Sequence, residues 1–359
     1  MTSNASIKMC KVGGTPFERG RQYGSNCAKL IKRNVKIYRL WFTEVGNVDE
    51  HRLPSFLGTT FDNIREYDPE IAEEFRGIAQ GSGVGLDDIV ALNSRTEIGY
   101  GLKGECTAVG VEPSRSDTTS GLLAQNWDWL PSLSEGTVLL EVEQPGRPTV
   151  LTFTEAGVVG KLGINSEGIG LVINLLDCGF GGKGVPFHVL CRGVLNSRSV
   201  SDALLAVVRS PCAGSSNLMI GSVHGELIDI ELVPGDFCEI LPREGLLLHT
   251  NHFLTHVGPK RDPFKRLYPD TITRLARARS ILSNQTTVSV EGLWSLLSDH
   301  VNYPDSICCH PNPKHDEMFQ SRTNASIIID FANRQLYLRD GPPCSSPMTT
   351  LSFPHDSAL

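Results

Sequence analysis

The chain has 359 residues, 40% of them hydrophobic and 20% charged, with a net charge of −7. That is the make-up of a globular chain long enough to bury a large core, as two domains or one large one. The acidic balance supplies no basic face for nucleic acid, and no apolar run approaches the roughly 18 residues that span a bilayer, so neither nucleic acid nor membrane is expected as a partner.

In chain order, residues 1–12 read as an edge strand. Thr15-Pro16 then opens a helix, with a capping threonine, a proline at the first helical position and Glu18 in the first turn. That helix is expected to run through Cys27–Ile31 towards Trp41. Further helices are expected over Phe56–Tyr67, after Asp68-Pro69, and over Asp87–Leu92, which makes the first hundred residues mostly helical. After Cys106 the texture changes to β-branched runs: Leu122–Asp128, Val138–Glu143, Thr149–Phe153, Val158–Ile164 and Gly168–Asn174. Gly, Pro and Asn turns separate them, Asn165–Gly168 being a good hairpin turn. Helices follow over Pro186–Leu195 and Ser199–Val208, then strands over Asn217–Ser222, Leu227–Leu232, Phe237–Leu241 and Gly245–Thr250. Helices over Pro269–Leu282 and Val288–Asp299 and strands over Thr323–Asp330 and Gln335–Leu338 complete the order. Strand runs flanked by helix blocks fit an α+β class, accommodated by two antiparallel sheets stacked face to face with helices outside.

The first ten residues lack an apolar segment of the secretory kind, and the ten cysteines are irregularly spaced without a CxxC. Free thiols in a reducing, cytoplasmic compartment are expected. Ser357-Ala-Leu359 only faintly resembles a peroxisomal tail, for want of a basic residue.

The stretch Gly101–Gly110, between the helical and the strand-rich parts, carries the chemistry. A thiol becomes a strong nucleophile only as thiolate and needs a base within reach. A free α-amino group, with a pKa of roughly 7.7–8.0, is such a base. If the Glu105–Cys106 bond is cut, Cys106 carries nucleophile and base on one residue. Before cutting, the same thiol can attack the Glu105 carbonyl and form a thioester that water opens. The competing reading is a buried structural thiol. The hairpin through Leu122–Asp128 would bring Asp128 beside Cys106, where a carboxylate orients an ammonium. Gln125, Asn126 and Trp129 on that strand, and Asn174 at the end of another, are candidate substrate contacts. Asn251 follows a strand, where an amide N–H can face a developing oxyanion. His249 and His252 have no third ligand nearby, and Cys308-Cys309 is a poor zinc pair, so no metal is expected.

Gly104-Glu-Cys-Thr107, Gln125-Asn-Trp-Asp128 and His249-Thr-Asn-His252 together resemble the acyl-coenzyme A:isopenicillin N acyltransferase family of self-processing N-terminal nucleophile (Ntn) enzymes. Further matches are Gly14–Glu18, Arg76–Gly81, Ala91–Glu97, Thr154–Gly157, Gly163–Gly168, Asn302–Pro304 and Ser306–Cys308. The resemblance implies a four-layer αββα fold, with 1–105 as the small subunit and 106–359 as the catalytic large subunit of one Ntn domain. It implies Cys106, Asp128 and Asn251 as catalytic residues, Asn251 as the oxyanion donor, and Ser216 as a serine near the processing site. The sequence departs from the family pattern at Cys309, where an arginine is usual, and at Glu105, where the best-known member has glycine. Arg322 or His310 is the expected support in place of that arginine, and Lys103 a partner for Glu105.

The expected activity is transfer of an acyl group from a small amide or acyl thioester, through a Cys106 thioester, to water or an amine, with hydrolysis of small amides favoured. The alternative is an acyl-coenzyme A-dependent N-acyltransferase acting on a penicillin-like or other small amine. A binding module of the same fold without catalysis is the rival of a different class. No cofactor is expected, acyl-coenzyme A being at most a co-substrate, and no phosphate-cradling glycine loop marks a site for it. The expected partners are the small-molecule substrate and the chain's own cleaved N-terminal fragment.

Overall fold

The computed structural model describes residues 7–44, 51, 53–99, 105–178, 182–316 and 319–353. Lys103, Gly104 and the Ser357-Ala-Leu359 tail lie outside them. Helix α1 (Pro16–Asn26) begins where the sequence signals place it: Thr15 Oγ1 accepts from the Glu18 N–H, and the Glu18 carboxylate accepts in return from the Thr15 N–H. The expected single helix is two. Cys27 leaves helical geometry at φ −113° and ψ 14°, its buried thiol against that of Cys10, and α2 (Ala28–Glu44) starts afresh. Helices α3 (Leu53–Tyr67), α4 (Pro69–Ser82, capped by Asp68), α5 (Leu86–Asn93) and the one-turn α6 (Arg95–Ile98) follow.

Helices α1 and α4 pack backbone against backbone. A Cβ at Gly20 would lie 2.2 Å from the Glu74 carbonyl oxygen, and one at Gly77 would lie 2.3 Å from that of Phe17. Hydrogen at these positions is what lets the helices approach so closely. Arg19, buried in the same interface, pairs with Glu74.

One sheet has eight strands in the order β1 (Lys8–Val12), β4 (Thr137–Val142), β5 (Val150–Glu155), β6 (Leu162–Asn165), β7 (Ile169–Leu175), β8 (Ser216–Ser222), β9 (Leu227–Val233), β10 (Asp236–Ile240). The other has six, in the order β11 (Leu246–His249), β2 (Glu105–Val111), β3 (Leu122–Trp129), β12 (Arg322–Asp330), β13 (Gln335–Arg339), β14 (Met348–Ser352). The sheets are not wholly antiparallel: the edge strand β1 pairs parallel with β4, because α1 and the rest of the helical segment intervene between them. Helices α1, α7 (Phe187–Leu195) and α8 (Val200–Val208) cover the first sheet. Helices α10 (Asp270–Ser283) and α11 (Val290–Leu297) cover the second, and the sheets meet through β2, β3 and β7. These are the four layers, α, β, β, α. The short α9 (Pro263–Leu267) and the edge strand β14 carry no strong periodic signal and were not expected. No helix among the described residues is long and apolar enough to cross a membrane.

The close approach of α1 and α4 gives a direct test. Gly77→Ala, which drives a methyl group into backbone, is expected to destabilise the protein by about 1–3 kcal/mol. Gly58→Ala in α3, with nothing within 4 Å of the added Cβ, is expected to stabilise it by roughly 0.5–1 kcal/mol. Urea unfolding of both variants reads the difference, and wild-type stability for Gly77→Ala would contradict the packing described.

Candidate active site

Strand β2 lies between β11 and β3, and Cys106 is its second residue, opposite Trp127. Strand alternation turns Cys106, Ala108 and Trp127 towards the other sheet, and Cys106 is only 5% exposed. Strand β11 ends at His249, paired with Ala108, so its ladder stops short of Cys106. The side chain of Asn251 continues where the ladder stops: the Cys106 N–H donates to Asn251 Oδ1 at 2.7 Å.

The Cys106 carbonyl is held as well. Arg274 Nη1, on α10, donates to it at 2.8 Å and to Thr107 Oγ1 at 3.2 Å, while Nη2 donates to Asn251 Oδ1 at 3.1 Å. Asp270, one turn earlier, accepts from Arg274 Nε at 3.1 Å and fixes the fork. Arg274 is buried and was missed by the sequence reading. One signal could have found it: it shares the buried stripe of α10 with Thr271, Leu275, Ala278 and Leu282, where a lone guanidinium needs a reason.

Asn251 is oriented differently from the expectation that its N–H faces an oxyanion. Two donors, the Cys106 N–H and Arg274, converge on its oxygen, so the oxygen faces Cys106. Its Nδ2 donates to the Leu175 carbonyl at 3.1 Å. Asp128 pairs in register with Glu105, next to Cys106, and its Oδ1 accepts from Thr323 Oγ1 at 2.5 Å. The hairpin thus brings Asp128 beside Cys106, as expected.

Three expected substrate contacts have their polar groups engaged within the fold. Gln125 bridges the two sheets, accepting from the Ile173 N–H at 2.6 Å and donating to the Ile173 carbonyl at 2.5 Å, just beyond the reach of the short β6. Asn126 donates to the Leu297 and Ile307 carbonyls and accepts from Ser326, on the face towards α11. Trp129 is buried against Trp41, donates to Tyr38 Oη at 2.9 Å, and has the Arg95 guanidinium over its ring. Asn174 accepts from Asn217 at 3.1 Å and donates to the His249 carbonyl at 3.4 Å, which supports the strand leading into Asn251. Ser216 opens β8 opposite Leu175, and its neighbour Ser215 fastens the chain through the Leu176 carbonyl.

The expected supports lie elsewhere too. His310 faces His300, Cys308 and Cys344, and the charge of Arg322 acts on Asp340 and His310. Cys309, at the position where the arginine is usual, turns its thiol to the Ser321 carbonyl. The guanidinium that does contact Cys106 is that of Arg274, on α10. His249 has Glu231 Oε1 at 2.9 Å from Nε2 and the Thr250 carbonyl at 2.8 Å from Nδ1, and His252 meets Thr250 and Thr271.

Burial and the charge of Asp128 push the Cys106 thiol up to about 11, opposed by the Asp128 backbone N–H and the charges of Lys161 and Arg274. Lys161 was not singled out in the sequence. Its Nζ lies 3.1 Å from the Trp127 ring centroid, on the face Trp127 shares with Cys106, and 2.9 Å from Glu155 Oε2. Burial draws this amine down to about 7, against the pull of Glu155. Glu155 also binds Arg95 at 2.7 Å and accepts from Tyr38.

A sequence profile described as acyl-coenzyme A:6-aminopenicillanic acid acyl-transferase matches residues 114–343. The chain is 32% identical over 339 residues, 92% of its length and 91% of the relative's, to the acyl-coenzyme A:6-aminopenicillanic-acid-acyltransferase 40 kDa form of Emericella nidulans. Among solved structures, a conjugated bile acid hydrolase variant from Clostridium perfringens superposes with a TM-score of 0.45 at 10% identity, covering 69% of this chain and 97% of that one. Penicillin V acylase from Agrobacterium tumefaciens superposes with a TM-score of 0.45 at 12% identity, covering 69% and 86%. The profile match over most of the chain and the near full-length relative carry one conclusion: this chain belongs to the acyl-coenzyme A:6-aminopenicillanic acid acyltransferase family.

Proposed function

We propose that the chain is a self-processing N-terminal cysteine amidohydrolase and acyltransferase. It cuts its own Glu105–Cys106 bond and then passes acyl groups through a Cys106 thioester. The observation that carries this reading is the grip on Cys106 from both sides, Asn251 Oδ1 on its N–H and Arg274 on its carbonyl. A nucleophile held at the start of a central strand has its sulfur fixed relative to the preceding carbonyl.

In the first step the Cys106 sulfur bonds to the Glu105 carbonyl carbon. The C–N bond breaks, and the departing nitrogen takes a proton to become the Cys106 α-amine. Water then opens the thioester, leaving the Glu105 carboxyl and a free thiol. Asn251 Oδ1, already an acceptor for that nitrogen, keeps the amine beside the sulfur, and Asp128 neutralises it when it is protonated. In turnover the amine takes the thiol proton as sulfur attacks the substrate carbonyl, and returns it to the leaving amine or thiol. Water or an acceptor amine then releases the acyl group. No histidine is required, in keeping with the engaged rings of His249 and His252. The Emericella relative, named for an acyl-coenzyme A donor and a 6-aminopenicillanic acid acceptor, supports an acyl thioester donor and a small amine acceptor. A panel of N-acyl amines and acyl thioesters, with product masses read with and without added amine, separates hydrolysis from transfer.

Purified protein is expected as two associated fragments, 1–105 and 106–359, while Cys106→Ala stays a single chain of 39.2 kDa. N-terminal sequencing of the large fragment that began anywhere but Cys-Thr-Ala-Val would sink the assignment. Asn251→Ala, once processed, is expected to lose on the order of 10² in turnover, the cost of letting the Cys106 amine and thiol shift by about an ångström. Near-normal turnover would remove Asn251 from the site.

The pH dependence has a defined sign. With the uncut thiol at about 11, its thiolate fraction rises about tenfold per pH unit below that value. Processing of freshly refolded chain is therefore expected to accelerate steadily from neutral to alkaline pH. Turnover by the cut enzyme follows the amine–thiol pair and levels off at lower pH. A pH-independent processing rate, followed by gel, would show that ionisation of this thiol does not limit the cut.

A further inference from the structure

Outside this site the fold gathers two thiols and two imidazoles from three places in the sequence. His300 lies just beyond α11, Cys308 and His310 lie on the segment that follows, and Cys344 lies on the connection between β13 and β14. One ligand-type atom from each falls within 4.8 Å of all the others. His300 Nε2 and His310 Nε2 are 3.1 Å apart, and Cys308 Sγ and Cys344 Sγ lie 3.4 and 3.7 Å from His310 Nε2. A tetrahedral zinc ion with Zn–N of about 2.0–2.1 Å and Zn–S of about 2.3 Å has ligand–ligand edges of about 3.3–3.8 Å. The distances around His310 fall within a few tenths of an ångström of those edges.

We propose that His300, Cys308, His310 and Cys344 form a structural transition-metal site, with Zn²⁺ as its ion. From the sequence no metal is expected, because His249 and His252 have no third ligand nearby and adjacent cysteines make a poor zinc pair; in the structure the Cys308 and Cys309 thiols point different ways. That is what makes this site workable: Cys308 and His310, two apart, face one side, while Cys309 turns to Ser321. The loop is braced for it. The Cys308 N–H bonds to the Asp299 carbonyl at 3.0 Å, the His310 N–H to the Pro304 carbonyl at 3.0 Å, and Ser306 Oγ to the Cys308 carbonyl at 2.6 Å. A central cation would satisfy all four ligand atoms at once. Two sulfurs and two imidazole nitrogens in a tetrahedron select Zn²⁺ among common ions. Binding releases one proton from each thiol to solvent and leaves two thiolates and two neutral imidazoles on the metal. With all four positions filled by protein, the ion has no open site for chemistry.

The ion would fasten the 299–310 segment to the β13–β14 connection. That segment supports the catalytic residues by a short path. The Cys309 N–H bonds to Thr323 Oγ1 at 2.9 Å, and the same hydroxyl donates to Asp128 at 2.5 Å.

The test uses the full chain, produced without a polyhistidine tag in zinc-supplemented medium and dialysed. About one zinc per chain is expected by elemental mass spectrometry, falling at least about tenfold in Cys344→Ser and in His300→Ala, which change exposed ligands. Cobalt exchanged into the wild-type chain is expected to give the thiolate charge-transfer and visible bands of tetrahedral Co(II). The proposal is overturned by a wild-type chain that holds less than about a tenth of an equivalent and shows no such bands with cobalt. It is overturned equally by either variant keeping its metal, or by a Cys308–Cys344 disulfide in protein purified under reducing conditions.

Discussion

The backbone N–H of Cys106 is buried between two sheets, at a point where its neighbour β11 has already ended. A strand continuing from His249 would place residue 251 opposite Cys106, and the Asn251 side chain supplies there the acceptor that backbone would have offered. Leaving that N–H without a partner would cost about 1–3 kcal/mol, so the bond is a constraint on folding as well as on chemistry. Arg274 reinforces it, since its fork spans the same Asn251 oxygen and the Cys106 carbonyl. Asn174 and Leu175 in turn position the strand end and the amide nitrogen of Asn251. The geometry around Cys106 therefore follows from where one strand stops.

The helical first hundred residues are joined to the sheets by charges that cannot be separated cheaply. Glu155 of β5 takes Arg95, Tyr38 and Lys161 together in a dry site. Arg192 of α7 and Arg19 of α1 share Glu74 of α4. Such pairs add little net stability, but removing one partner strands the other and costs about 3–5 kcal/mol. The Asn34 and Asn93 side-chain amides donate hydrogen bonds to the Ala156 and Gly157 carbonyls. Under the proposed cut after Glu105, these contacts explain why the fragments would remain one body: dissociation would expose apolar surface and leave Glu155 without its arginine.

Much of this was legible in the sequence, and what was not has a common cause. Helix starts at Thr15, Asp68, Ser199 and Ser289 announce themselves through caps whose side chains act locally. The β2–β3 hairpin places Asp128 beside Cys106 because both ends lie within one short stretch of chain. What stayed hidden depends on distant pairing. Gln125 and Asn126 look like site residues as a polar pair on a buried strand, and only the layers on either side reveal that they bond to Ile173 and to Leu297 and Ile307. Arg274 is one arginine among several in its helix until α10 is laid on β2. The His300–Cys344 cluster spans three segments with no repeating spacing, so no motif could signal it.

The charges around Cys106 bear on when the thiol reacts. In the uncut chain burial and the Asp128 carboxylate keep it protonated, and Lys161 and Arg274 only partly offset them. Such a thiol is a poor nucleophile towards passing electrophiles. Cutting the preceding bond would change two terms together. It would put a titratable amine next to the sulfur, paired with Asp128, so that the carboxylate that opposes the thiolate becomes partner to a neighbouring cation. It would also free the space of the preceding peptide for solvent and substrate, which relaxes the desolvation that raises the thiol most. One bond cleavage would thus weaken both causes of the raised pKa, and the same residues that hold the uncut thiol back would favour the reactive form of a cut chain.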